Sequence, residues 1–192
     1  MPLPFQNLGY LQHGTAVQHA AYQLLTTTKL MQVLHHYSPL LVGTFPLGLQ
    51  QPGSDLDIIC EVYNLGSFEA LLREQFGHYA GFELRRTERQ GHLCSVATFV
   101  VEGWPVEVFG QPVPSAQQQG YRHLVVEHRL LQLGGAVFRA RVQAQRATGL
   151  KTEPAFAACL GLTGDPYAEL LRLESYSDAQ LRAQYFVDSN VV

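Results

Sequence analysis

A chain of 192 residues, 46% hydrophobic and 15% charged, is long enough to build one domain, or a domain with a helical appendage, around a substantial core. Its net charge of −3 argues against a protein that coats nucleic acid, and no apolar run approaches the ~18 residues that span a bilayer. The three cysteines, Cys60, Cys94 and Cys159, are far apart in apolar surroundings. That spacing excludes a disulfide framework and a zinc motif and points to reduced, buried thiols in a soluble cytoplasmic protein. Residues 1–6 lack the basic-then-apolar order of a signal peptide.

Along the chain, Val17, Ala20, Ala21, Leu24, Leu25, Leu30, Met31 and Leu34 recur at helical spacing and predict one amphipathic helix from about Thr15 to His36. Pro39 ends it, and Leu40-Leu41-Val42 reads as a short buried strand. Pro46, Gly48, Pro52 and Gly53 make the segment up to Ser54 mostly loop or one short helix. Leu56 to Val62 follows as a buried strand, and Ser67 is placed to cap a helix over Phe68 to Phe76. Phe82 to Thr87 is a further strand. The runs His92 to Val101 and Trp104 to Phe109 flank Glu102-Gly103, a two-residue hairpin signal that pairs Val101 with Trp104 and, counting back, Thr98 with Glu107. From Ser115 the pattern is helical: Tyr121 to Leu133, the Arg139 to Arg146 region, Pro154 to Leu160 and Tyr167 to Leu173. The order predicts an α+β fold, a mixed sheet with flanking helices over 1–114 and a helical lobe over 115–192.

Chemistry concentrates at Val42-Gly43-Thr44 and, ten residues on, Ser54-Asp55-Leu56-Asp57. Strand alternation turns Asp55 and Asp57 to one side about 7 Å apart, where like charges need a cation between them. Asp57 stands among Leu56, Ile58, Ile59 and Cys60, poor company for an acid with no task. The Gly43-Thr44 turn exposes backbone N–H groups of the kind that cradle phosphate. Glu61 shares the parity of Asp57 but lies about 13 Å along the strand, too far to share its cation.

This arrangement resembles the nucleotidyltransferase superfamily, whose head is the fold of DNA polymerase β. Its signature is a small-residue turn after a short strand, an Asp-apolar-Asp pair on the next strand, and a third acid on a later one. Gly43-Thr44, Asp55-Leu56-Asp57 and Glu107 in Pro105-Val106-Glu107-Val108-Phe109 occupy those places. The resemblance covers roughly residues 38–110. The whole chain looks like a family of small bacterial proteins of unknown function assigned to that superfamily. The resemblance implies that Asp55, Asp57 and Glu107 hold Mg²⁺, or Mn²⁺ in its place, with Glu107 also helping to activate an attacking hydroxyl. It implies that Gly43, Thr44 and Ser54 hold the β- and γ-phosphates of an NTP. Thr44 for Ser or Gly, Glu107 for the commoner Asp, and Pro46 where relatives run a regular helix are departures from the pattern.

Residues 121–151 carry Arg122, Arg129, Arg139, Arg141, Arg146 and Lys151 against the single acid Glu127. Arg122, Arg129 and Lys151 are candidates for phosphate or acceptor contacts, and a solvated basic face is the competing reading. His123 and Glu127 share a helical face, but His128 lies roughly 140° from His123, so no zinc motif results. The expected function is metal-dependent transfer of a nucleoside monophosphate from an NTP, such as ATP, to an acceptor, with release of pyrophosphate. A small molecule or protein acceptor is favoured over RNA. A non-catalytic nucleotide- or partner-binding module and a metal-dependent phosphohydrolase are the alternatives.

Overall fold

Helix boundaries in this chain are set by side chains that bond to their own backbone. In the computed structural model, which describes residues 5–186, Thr15 caps helix α1 (Ala16–Thr27) through a reciprocal pair with Gln18. The single helix expected to His36 stops there. Thr26, Thr27 and Thr28 turn their hydroxyls back onto the carbonyls of Tyr22, Gln23 and Leu24, and Lys29 then takes a left-handed conformation at φ 57°. A second short helix, α2 (Leu30–Val33), and a 3-10 turn (His35–Tyr37) complete the segment. Helix α4 (Leu65–Phe76) begins earlier than expected because Asn64, not Ser67, is its cap: the Asn64 Oδ1 accepts from the Ser67 N–H. The signal-peptide reading of residues 1–4, and the part of the C-terminal lobe at 187–192, lie outside the described residues.

Five strands form one sheet: β1 (Leu40–Val42), β2 (Leu56–Glu61), β3 (Ala80–Arg89), β4 (His92–Val101) and β5 (Trp104–Gln111), in the order β1-β2-β5-β4-β3. Only β2 and β5 run parallel. The tight turn at Glu102 and Gly103, both at positive φ, pairs Val101 with Trp104 and Thr98 with Glu107, as the hairpin count requires. A second such turn, at Gln90 and Gly91, joins β3 to β4; it extends β3 to Arg89, beyond the expected Thr87.

Alternation gives the sheet one apolar face. Leu56, Ile58 and Cys60 of β2, Val106 and Val108 of β5, and Ala97, Phe99 and Val101 of β4 pack against Leu24 and Leu25 of α1, Leu30 of α2, and Phe68, Leu72 and Phe76 of α4. The opposite parity carries Asp57 and Ile59 on β2 and Glu107 and Phe109 on β5. All three cysteines are buried free thiols.

The chain divides into two units, Met1–Tyr121 and Arg122–Val192; the division falls within α5 (Gln119–Ala147), where the sequence expectation sets it after residue 114. The second unit is helical: the rest of α5, kinked at Gly135 (φ 61°), with α6 (Thr152–Leu160), α7 (Pro166–Arg172) and α8 (Asp178–Tyr185). Phe138 packs edge-on against Phe156 and Phe186. Among the described residues, no helix is long and apolar enough to cross a membrane.

Two carboxylates carry opposite pH dependences. Glu69 on α4 accepts from Arg86 Nε and Nη2 on β3 (2.7 and 3.1 Å) and from the Ser95 hydroxyl on β4 (2.5 Å). The Arg86 guanidinium holds its carboxyl below the usual range. That contribution to stability is present above the unfolded-chain pKa and is lost as the pH falls through the depressed folded one. Burial pushes Glu127, in the second unit, well above the usual range; its effect runs the other way, stability falling as the pH rises past the unfolded-chain value. Urea unfolding from pH 3 to 8 checks both: Glu69→Gln is expected to lower the midpoint at neutral pH and flatten the acid limb, and Glu127→Gln to flatten the decline toward higher pH.

Candidate active site

The sheet register builds the site. Val42 of β1 pairs with Asp57 of β2, Asp57 with Glu107 of β5, Glu107 with Thr98 of β4, and Thr98 with Glu83 of β3. Cross-strand partners share a face, so one row crosses all five strands, with Asp57 and Glu107 about 5 Å apart at the backbone. Both are half-buried, and Glu83 at the far end is exposed.

Gly43 closes the row at the β1 end. It has φ 72° and ψ −145°, a region open essentially to glycine alone. A Cβ at that position would overlap Asp57 Oδ2, so the glycine lets the turn press directly on the carboxylate. Thr44, almost fully buried, begins the short helix α3 (Thr44–Leu47), which stops at Gly48 in a left-handed conformation. The buried Gln18 amide of α1 donates to the Phe45 carbonyl at 2.7 Å and fixes this segment from below. Gln18 is a positioning residue that the sequence reading missed, although the Thr-x-x-Gln capping pattern at Thr15 was visible.

Asp55 does not lie on the strand. β2 starts at Leu56, and Asp55 is the exposed residue ahead of it, so alternation does not govern its side chain. Ser54 closes its own loop: its hydroxyl accepts from the Gln51 N–H at 2.9 Å, and its N–H donates to the Gln51 carbonyl. Among the described residues, no group of three or more His, Cys, Asp or Glu side chains is arranged to hold a metal ion. The registered Asp57–Glu107 pair is nevertheless a fitting donor set for Mg²⁺, which binds through one or two carboxylates together with substrate phosphates.

The candidate cations belong to the second unit, where Arg122 and Arg129 are already engaged. Arg122 donates in a fork to Glu174, through Nε and Nη2. Arg129 donates to Asp178 at 2.6 Å and to the Tyr176 carbonyl at 2.6 Å. Lys151 is the exposed N-cap residue of α6. His123 is buried, its Nε2 2.9 Å from the Tyr167 carbonyl, which makes it a core histidine.

Comparison with solved structures matches the chain to a known fold. A structure of Cid1, described as having RNA terminal uridylyl transferase activity, aligns with 79% of this chain and 46% of its own at 12% identity and a TM-score of 0.51. The Cid1 poly(U) polymerase with MgGTP bound aligns with 80% and 47% at 13% identity and 0.49. The polymerase core of TRAMP, an RNA surveillance complex, aligns with 90% and 57% at 12% identity and 0.46. This chain spans about half the length of these proteins. The likeness establishes an α+β nucleotidyltransferase-type fold, and at this identity the fold alone. Comparison with curated proteins yields no match. Residues 23–173 match the family model described as Domain of unknown function (DUF4269), and the chain belongs to that family.

Proposed function

We propose that the protein transfers a nucleoside monophosphate from an NTP to an acceptor with release of pyrophosphate. The observation that carries this reading is the pairing of Asp57 with Glu107 across parallel strands, with the Gly43 turn pressed against Asp57. Two half-buried carboxylates in register beside a glycine turn are a donor pair suited to a divalent cation.

In this reading Asp57 and Glu107 hold Mg²⁺ or Mn²⁺, and Asp55 joins them from the loop when nucleotide is bound. When bound, the metal supplies charge neutralisation for the triphosphate and the departing pyrophosphate. The backbone N–H groups of the Gly43-Thr44 turn, with the Thr44 hydroxyl, orient the β- and γ-phosphates. An acceptor hydroxyl then forms a bond to the α-phosphorus as the α–β anhydride bond breaks. The bonding pair leaves with pyrophosphate, and a Glu107 carboxylate oxygen takes the hydroxyl proton. Arg122 and Arg129 are not needed for this scheme. The solved neighbours are described as acting on RNA; the acidic balance of this chain favours a small-molecule or protein acceptor.

One observation favours a second reading, a nucleotide-binding module without turnover: of the three acids, only two share the strand register. Incubation with α-labelled NTPs, Mg²⁺ and a metabolite or protein extract separates the readings. Labelled product and pyrophosphate support transfer, Mg²⁺-dependent NTP binding without product supports the module, and phosphate release without an acceptor indicates a hydrolase. Asp57→Asn and Glu107→Gln are each expected to lower transfer by on the order of a hundredfold or more in variants that circular dichroism shows to be folded.

Gly43→Ala tests the turn separately. Forcing a Cβ against Asp57 at positive φ is expected to cost about 1–3 kcal/mol of stability and to weaken Mg²⁺-dependent NTP binding. Thermal unfolding with and without MgATP measures both effects; a fully stable variant with unchanged nucleotide binding would show that the turn plays no part in the site.

A further inference from the structure

Where β2 ends, the first unit holds a cavity of about 690 Å³ with Glu61, the last residue of the strand, on its wall. We propose that this cavity is a second binding site, separate from the Asp57–Glu107 pair, and that it takes a small organic cation: a protonated amine on an apolar body. The site stands independently of the transfer reading above.

Charge selects the ligand. Among the described residues that line the cavity, Glu61 is the only acid, and neither Lys nor Arg is present. Glu61 is half-buried and forms no ion pair among the described residues. Its side-chain partner is the Tyr63 hydroxyl, a neutral donor. A partly desolvated carboxylate with no cation of its own gains most from one that a ligand brings. His35, also in the lining, has its Nδ1 2.8 Å from the Gln32 carbonyl, where only a donor fits; in the neutral ring Nε2 is then an acceptor. Two accepting groups suit an ammonium, which has three donors and no acceptor. A carboxylate or phosphate ligand would meet like charge at Glu61.

The rest of the lining sets the body of the ligand. Leu8, Met31, Pro39, Leu40, Pro114 and Ala116 give the cavity apolar walls, and its volume falls within the roughly 300–1,000 Å³ of small-molecule sites. One wall is fixed in advance. The buried Gln118 amide donates to the Cys60 and Val113 carbonyls, both at 2.9 Å, and so ties the segment that carries Pro114 to the end of β2 beside Glu61. Glu61 shares the strand parity of Asp57 but follows it by four residues, about 13 Å along β2. An ammonium held at Glu61 therefore leaves the Asp57–Glu107 pair to its own cation.

Met1 and Met31 are the two methionines, so a methyl-¹³C-methionine spectrum of the full chain has two signals, and Met31→Leu assigns the one at the cavity. The probes are hexylamine, hexanol and hexanoate, which share an apolar body and at pH 7 are cation, neutral and anion. Hexylamine is expected to shift the Met31 signal saturably and to bind about fivefold more tightly than hexanol, with hexanoate weakest. Glu61→Gln is expected to erase the advantage of the amine over the alcohol. Glu74→Gln, which removes the same charge from an exposed position on α4, is expected to keep it. No saturable shift, or hexanoate binding as tightly as hexylamine, overturns the site in the parent protein without reference to any variant. Loss of the preference in Glu74→Gln reveals a general attraction to an acidic surface and overturns the role of Glu61. Asp57→Asn is expected to leave the titrations unchanged; if it abolishes amine binding, the amine sits at the paired carboxylates and the second site is overturned. If the amine binds as expected but no acceptor is ever labelled, the transfer reading fails and the cavity site stands.

Discussion

The parallel register of β2 and β5 is the constraint on which the site depends. It is fixed by packing and not by the acids: Leu56 and Ile58 must face the core beside Val106 and Val108, and a slip of one residue would turn all four outward. With the apolar partners seated, Asp57 and Glu107 have no freedom to separate. The core therefore sets the two acids side by side on the opposite face.

The surrounding parts serve to keep that face accessible at one point. Gly43 removes the side chain that would collide with Asp57, α3 is only one turn long, and Gln18 reaches from α1 to hold the Phe45 carbonyl. Each is a small local device, and together they make a turn that is close to the carboxylate yet anchored in the core. The second unit has ion pairs of its own, which engage Arg122 with Glu174 and Arg129 with Asp178.

Much of this was legible in the sequence, because strand alternation and hairpin turns act locally. The Glu102-Gly103 turn alone placed Glu107 opposite Thr98. Asp57 was flagged by its apolar neighbours and Glu107 by the resemblance to the nucleotidyltransferase pattern, and these two the sheet pairs in register. What was hidden depended on side chains that compete with the backbone or on distant partners. Three consecutive threonines bent back on α1, and Lys29 broke a helix whose apolar spacing continued without interruption. Asp55 fell one residue outside β2, a boundary that periodicity does not resolve. Glu83 joined the site row through pairings made two strands away. The Arg122 and Arg129 partners lie about fifty residues further along the chain, beyond any window over which charge patterning is informative.

The two tight turns also imply an order of assembly. β3, β4 and β5 are joined by two-residue turns and can zip together as a meander with little loss of chain entropy. The β2–β5 pairing, by contrast, closes a loop of fifty residues and has no local turn to guide it. The meander is thus expected to form first and to serve as the template on which β2 docks, bringing Asp57 beside Glu107. Until β2 docks, the β5 edge that it covers stays unpaired.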